Sequence, residues 1–487
     1  MKKAGIILLA LGLIAVSATI LVDWLSSDGK KGFGAFQFFG LEAGIALLLV
    51  GLGWLIIKQD EKISIRRQIS LLLERPLTWP PLVWTLLTFL ALYIPWFLFP
   101  LYFSKSQIHY FTKYIPDAYI THIGFDIEAI VSRTQTWLLT GQSPYADGFI
   151  AYPPLAIALF VPFILLGYPA YFEFMTVLTL AAYLVASLVI PLLIVPKRSQ
   201  ALVVLLFVTG LFSYGLQFEQ ERGQFNLIAF TICLWAIYLF HYRPQFRYFA
   251  YLLFSLSIQL KVYPVVFAVM FIHDWRDWKN NLRRLLGLGA LNFSLLFVLG
   301  SSFYRDFIRA ITAYQFAYQS SRYENLSIKG FTYYLSTNVF GFETTSKASA
   351  LLEIFLLTIV GLLLFALLFL AWRRQWRGLN PSLLLGCTVA ALVLPSVSND
   401  YKLSLLIAPM ILFLSCMPEV KGKNKQIMYI MLLVLISLAY WSVFYPATVK
   451  PDFLDRNFPA LFLMFISVTA LNFLVPYTDD NPSNSIL

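Results

Sequence analysis

Charge is scarce in this chain of 487 residues: Asp, Glu, Lys and Arg make up 13%, against 59% hydrophobic residues. Soluble domains carry about 25% charged residues, so a string of soluble domains is excluded. Cysteine is scarce too. Cys233, Cys387 and Cys416 sit inside apolar runs without metal-ligand spacing and read as buried thiols. Nucleotide-binding fingerprints are missing: no G-x-G-x-x-G and no P-loop stands at a strand–helix junction. No internal repeat or low-complexity segment stands out. What is abundant is apolar sequence, in runs long enough to span a bilayer from one end of the chain to the other. The chain reads as an all-α polytopic membrane protein, with no nucleic-acid partner expected.

The net charge of +11 matters through its placement. Clustered Lys and Arg mark cytoplasmic loops. Full spans are expected near 4–22, 39–57, 82–103, 171–195, 201–219, 225–241, 285–301, 350–371, 382–398, 403–418, 427–445 and 459–476, about 12 in all at about 20 residues each. The first, after Met1-Lys2-Lys3, resembles a signal peptide but lacks a convincing cleavage site, and reads as an uncleaved anchor. Lys58, Lys62, Arg66, Arg67 and Arg75 face the cytoplasm, as do Lys197, Arg198, Arg243, Arg247, Arg276, Lys279, Arg283 and Arg284. Residues 249–273 therefore leave and return on one side, broken at Lys261-Val262-Tyr263-Pro264, a re-entrant pair of half-helices. A Pro-rich segment before 171 is too short to cross. The loops 104–151 and 302–348 then face outward, and chemistry is expected on the external or lumenal side.

The stretch from Gly124 to Leu155 is mostly polar and lies between long apolar runs. At helical period from Asp126 it puts Ile127, Ile130, Val131, Trp137 and Leu138 on one face, an amphipathic helix lying along a membrane surface. Asp126 and Arg133 share the wetter face. Gly141 ends the helix, Ser143-Pro144-Tyr145 turns the chain, and Pro153-Pro154 opens the next apolar segment.

Four elements in order carry a family resemblance. Asp126 with Gly141-Gln142-Ser143-Pro144-Tyr145 and Tyr152-Pro153-Pro154-Leu155 resembles the first outer loop of glycosyltransferase family 87 and of the glycosylphosphatidylinositol mannosyltransferases. Gly223-Gln224-Phe225-Asn226 is similar to a G-Q-x-N turn, Lys261-Val262-Tyr263-Pro264 to a K-x-Y-P break, and Asn325-Leu326-Ser327-Ile328-Lys329-Gly330 to an N-Q-S-x-x-G element in which Leu326 replaces Gln. The resemblance covers roughly 82–418, so we expect a catalytic module there, flanked by a helix pair with a cytoplasmic loop at 1–81 and a second pair at 419–487. It implies a GT-C-type fold with short broken and amphipathic interfacial helices. It also implies transfer of a mannose- or pentose-like sugar from a polyprenyl-phosphate donor to a hydroxyl on a lipid or glycan, with inversion. The setting it implies is a bacterial inner membrane rather than endoplasmic reticulum.

Carried over, Asp126 is the general base. Lys261, with Arg133, Arg222 or Lys402, stabilises the departing phosphate. Glu128, Tyr145, Gln224, Asn226, Tyr263 and Asn325 are expected at the substrate. Where glycosylphosphatidylinositol mannosyltransferases have a D-x-D pair, Gly124 stands two before Asp126, so no cofactor is expected and a divalent metal is doubtful. Plainer roles compete. Asp126 suits a helix cap, Arg133 an anionic headgroup, Lys261 snorkelling, and Glu219, Glu221 and Arg222 a local salt-bridge cluster. Asn325-Leu326-Ser327 also fits a glycosylation sequon. His109 and His122 have no partners at ligand spacing. The rival classes are a transporter or flippase of lipid-linked glycans, which would share broken helices and buried cations, and a non-catalytic scaffold.

Overall fold

The computed structural model describes residues 7, 10–14, 17, 124–148, 150–317, 325–341, 343, 346–416, 423–444 and 457–474. The chain divides into two units, Met1–Leu72 and Leu73–Leu487. In the first, the described residues are helical. The expected spans 39–57 and 82–103, the boundaries at 81 and 418, and His109 and His122 lie outside the described residues.

The described part of the second unit is helical, with no strand; an isolated antiparallel bridge joins Asn325 to Asn399. The expected amphipathic helix is α1 (Phe125–Thr140). It buries Ile127, Ile130 and Val131; Trp137 is half-buried, and Leu138, expected on the same face, is exposed. Gly141 closes it in the left-handed conformation, φ 74°. The N-cap is Gly124, not Asp126, and Asp126 sits in the first turn with its carboxylate directed elsewhere. The Pro-rich segment forms α2 (Pro154–Phe160) and a 3-10 turn, Val161–Leu165.

Helix α3 (Ala170–Ile194) fits the span expected at 171–195 and includes a π-helical turn at Val185–Val189. The run at 201–219 differs from expectation. It is two helices, α4 (Gln200–Leu211) and α5 (Tyr214–Arg222), bent by 52°. The break comes where the Ser213 side chain caps α5 by accepting from the Leu216 amide. Residues 220–222, read as an outer loop, are thus the last turn of α5.

Next come α6 (Asn226–Tyr242) and α7 (Arg247–Leu260), packed as a hairpin. The break at Lys261 falls where the sequence places it. Lys261 is extended (φ −146°), and the return arm is a nine-residue 3-10 helix, Tyr263–Phe271, with Pro264 in its first turn. Helix α8 (Trp278–Leu295) starts well before the span expected at 285–301, capped by the Asp277 side chain. The loop expected at 302–348 contains α9 (Ser301–Ala317) and α10 (Ile328–Tyr334). Helix α9 packs Phe303 and Phe307 against Trp137 and Tyr145, joining the segment around α1 to that around α9.

The rest is α11 (Lys347–Arg373), α12 (Pro381–Val393), α13 (Ile407–Ser415), α14 (Lys423–Phe444) and α15 (Phe458–Leu474), with a 3-10 turn, Asp400–Leu406, before α13. Almost every side chain of α6 and α12 is buried. Helix α11 instead turns Leu351, Phe355, Leu362 and Phe365 outward, each at least 60% exposed. An apolar outer face on an apolar helix is what lipid contact requires. Among the described residues, two helices are long and apolar enough to cross a membrane, α3 and α11, or three if the bent pair α4–α5 counts as one.

Candidate active site

The G-Q-x-N turn organises the site. Gly223 ends α5 at φ 65°, and a Cβ there would lie 2.6 Å from Ile127 Cγ2. Gly124 is likewise left-handed, its amide donating to the Glu221 carbonyl at 2.8 Å, and a Cβ on it would meet Phe172 at 2.8 Å. Both glycines let the start of α1 press against the end of α5. That contact delivers Asp126 to Arg222 and Gln224.

The carboxylate of Asp126 is held on both oxygens. Arg222 donates Nε to Oδ2 (2.9 Å) and Nη2 to Oδ1 (2.8 Å), the bidentate form, and Gln224 Nε2 donates to Oδ2 at 2.6 Å. The other end of the same amide, Gln224 Oε1, accepts from Lys261 Nζ at 2.8 Å. A continuous line therefore runs Arg222–Asp126–Gln224–Lys261 through residues from α1, the α5–α6 turn and the α7 break. Lys261 is 7% exposed, and its ammonium lies 4.1 Å from the centre of the Tyr152 ring and 4.0 Å from that of Phe225. Two aromatic faces and one amide oxygen stabilise a charge that burial alone would disfavour.

Beyond Lys261 opens a cavity of about 400 Å³. Lys261, Lys402, Tyr152, Tyr263 and Tyr401 line it, with Ser396 and Val397 as wall. Lys402 lies in the turn between α12 and α13, half-buried, and donates to the Val397 carbonyl at 3.3 Å. Burial pulls its ammonium down to about 8. Asp126 and Arg222 do not line this cavity; they stand behind Gln224.

The other expected positions divide into supports and outliers. Asn226 begins α6, its Nδ2 is 3.5 Å from Gln224 Oε1, and its carbonyl accepts from the Tyr263 hydroxyl at 2.7 Å. Asn226 Oδ1 is buried with no partner. Tyr145 donates to the Tyr152 carbonyl at 2.8 Å, and burial keeps its phenol protonated by raising its pKa. Asn325 is spent on the cavity wall: Nδ2 donates to the Ser396 carbonyl (3.2 Å), and Oδ1 accepts from the Ser327 and Ser398 amides. Glu128 is near Tyr168 and Tyr171 rather than the cavity. Arg133 pairs with Asp147, Nε to Oδ2 at 2.8 Å, on a more exposed part of α1, and does not line the cavity.

The salt-bridge cluster expected of Glu219, Glu221 and Arg222 takes another form. Glu219 is fully buried, accepts from the Leu227 amide at 2.6 Å in the first turn of α6, and is bonded by the Ser404 hydroxyl. Ser404 and Tyr401 were not expected at the site; the sequence marks them by nothing more than nearness to Asp400 and Lys402. Tyr152 stands in the Tyr152-Pro153-Pro154-Leu155 motif, but nothing in the motif tells that its ring faces a cation.

No curated protein matches the chain. The family model of glycosyltransferase family 87 matches residues 149–395. The match starts after Asp126 and ends before Lys402, and it contains the α5–α6 turn, the α7 break and most of the cavity wall. It covers just over half of the chain, and its apolar helices place it in a membrane: the protein belongs to glycosyltransferase family 87 and is a membrane glycosyltransferase.

Proposed function

We propose that this protein transfers a sugar from a polyprenyl-phosphate donor to a hydroxyl of a lipid- or glycan-linked acceptor, on the external or lumenal face of a bacterial inner membrane. The observation that carries this reading is the pair of lysines, Lys261 and Lys402, facing one aromatic-walled cavity. A glycosyl phosphate brings one anion and one sugar. The lysines match the phosphate, and Tyr152, Tyr263 and Tyr401 give the cavity an aromatic wall for the sugar. Mannose or a pentose is the expected sugar class.

In the reaction the acceptor oxygen attacks the anomeric carbon as the bond from that carbon to the phosphate oxygen breaks, with inversion. The hydroxyl proton goes to Asp126, and the polyprenyl phosphate leaves with its charge opposite Lys261 and Lys402. A carboxylate offers about four acceptor positions. Arg222 and Gln224 occupy three, leaving one on Oδ1 for an incoming hydroxyl. Because Asp126 stands behind Gln224, this role requires the acceptor to approach from the α1 side. The reading needs no divalent metal: the charge of Asp126 is already matched by Arg222, and the departing phosphate is matched by the two lysines.

The bidentate pair favours a second role for Asp126, that of fixing Gln224 and, through it, Lys261. The two roles separate kinetically. Loss of a base slows turnover with every donor, whereas loss of positioning raises KM for the donor and spares kcat at saturation. The direct test of the whole reading is a screen of mannosyl, arabinosyl and glucosyl polyprenyl phosphates with purified protein and one acceptor extract. Product with at least one donor is expected. Turnover of nucleotide sugars alone would overturn the donor assignment.

A further inference from the structure

A second group of cationic side chains lies at the opposite end of the α6–α7 hairpin. Helix α6 has 17 residues, so its end is about 25 Å from the Gln224 turn. There His241, 7% exposed, bonds through Nε2 to the Met270 carbonyl at 2.7 Å, while its Nδ1 is buried without a partner. The adjacent Phe240 ring has two guanidiniums on it: Arg247 at 5.5 Å from its centre and Arg284 at 5.2 Å. The His273 ring meets Phe240 edge-on at 6.2 Å and lies 6.3 Å from His241. Four separate segments supply these groups: the end of α6, the starts of α7 and α8, and the residues following the 3-10 arm.

Their bonding is incomplete. Arg284 Nη1 donates to the Phe271 carbonyl and Asn281 Oδ1, each at 3.0 Å, both neutral acceptors. The Nε of Arg247 and the Nδ1 of His273 are buried without partners. Among the described residues neither arginine is in an ion pair. The nearby carboxylate, Asp274, accepts from the Arg276 amide instead, and Arg377 adds a further positive charge acting on His273. Two half-buried arginines over one ring repel each other. Two half-buried guanidiniums with no carboxylate paired to them among the described residues are completed by an anion.

We propose that Arg247, Arg284, His241 and His273 form a binding site for a phosphate group, borne by an anionic membrane lipid or free in solution. Arginine forks match phosphate oxygens, and basic pockets at helix ends take lipid headgroups in this way; the His273 Nδ1 can add an N–H, whereas His241 spends its Nε2 proton on the Met270 carbonyl and lines the site. The site is separate from the sugar-transfer cavity and does not depend on which donor that cavity takes.

The test uses the full-length protein in detergent, with Arg247→Gln as the main variant, because the Arg247 side chain makes no hydrogen bond to the described residues. In one arm the protein is exchanged into equimolar phosphatidylglycerol and phosphatidylcholine, and retained lipid is counted by native mass spectrometry. In the other, inorganic phosphate is compared with chloride at equal ionic strength for its effect on the melting temperature. Wild type should prefer phosphatidylglycerol by about tenfold, the order expected of one or two basic contacts, and Arg247→Gln should abolish the preference. A phosphate-dependent rise in melting temperature without lipid preference identifies solution phosphate as the ligand, and is again lost in Arg247→Gln. Arg309→Gln removes one charge from the exposed face of α9 and should change neither readout. No preference and no shift in wild type, an unchanged Arg247→Gln, or equal loss in Arg309→Gln would each overturn the site. If Arg247→Gln proves misfolded, Arg247→Lys, which keeps the charge but not the fork, should retain only part of the preference; full retention overturns the site too.

Discussion

Helix α1 makes two carboxylate–guanidinium pairs, and they are not equivalent. At its start Asp126 pairs with Arg222, both side chains about a tenth exposed, and the pair is tied through Gln224 to Lys261. Two turns on, Arg133 pairs with Asp147, 27% and 50% exposed. The contacts are of similar length and composition. The first is embedded among groups that depend on it, and the second ends at solvent. Breaking a buried pair leaves an uncompensated charge, while an exposed pair is screened and replaced by water.

Removing the buried carboxylate should have the largest effect. Asp126→Asn keeps the shape and should lower turnover at least about a hundredfold, the lower end for a general base. Retained kcat with raised donor KM would reassign Asp126 to positioning Gln224 and Lys261. Next is Lys261→Met. Losing one charge-stabilising donor costs about a hundredfold in kcat/KM, and Lys261→Arg should recover part of it. Wild-type kinetics in Lys261→Met would remove the phosphate role.

The third prediction concerns pH. Lys402 is charged below about 8 and neutral above, so donor affinity should fall as pH rises through that value. Lys402→Arg should flatten the profile, since a guanidinium stays charged. A profile identical in both proteins would separate the pH dependence from Lys402. The smallest effect belongs to the exposed pair. Arg133→Gln should cost about 0.2–1 kcal/mol in stability by thermal or denaturant unfolding and leave turnover unchanged. A large loss of turnover would mean that Arg133 meets substrate after all.

What the sequence made legible was local. The face of α1 and its end at Gly141 follow from spacing and one glycine. The break at Lys261 follows from a charge and a proline between two basic clusters. The span at 171–195 follows from length. The site itself was visible as an ordered set of motifs, and the family match makes the class a glycosyltransferase rather than the transporter it could have resembled. The wiring was not legible. Asp126 and Arg222 are 96 residues apart, and Gln224 and Lys261 are 37 apart. No periodicity predicts which amide will bridge them. The bend between α4 and α5 was hidden because a single serine cap, inside an apolar run, sets it. Asn325 looked like a substrate contact because its motif resembles the family's N-Q-S-x-x-G element; it is used up holding Ser396, Ser327 and Ser398.

The return arm from Tyr263 to Phe271 counts in threes. A 3-10 helix rises about 2.0 Å per residue with three residues per turn, so nine residues cover about 18 Å where an α-helix would cover about 13 Å. The stretched winding lets nine residues nearly match the fourteen of α7, so that His273 comes back beside Arg247. It also stacks side chains in straight columns. Pro264, Phe267 and Met270 form a column turned to the core, whereas the column of Val262 and Val265 is exposed at its start and ends on the buried Phe271. Inserting a single residue would rotate everything beyond it by about 120°, exchanging one column for another. The spacing between Lys261 and His273 is therefore a ruler with coarse divisions, on which a change of three residues preserves the pattern and a change of one does not.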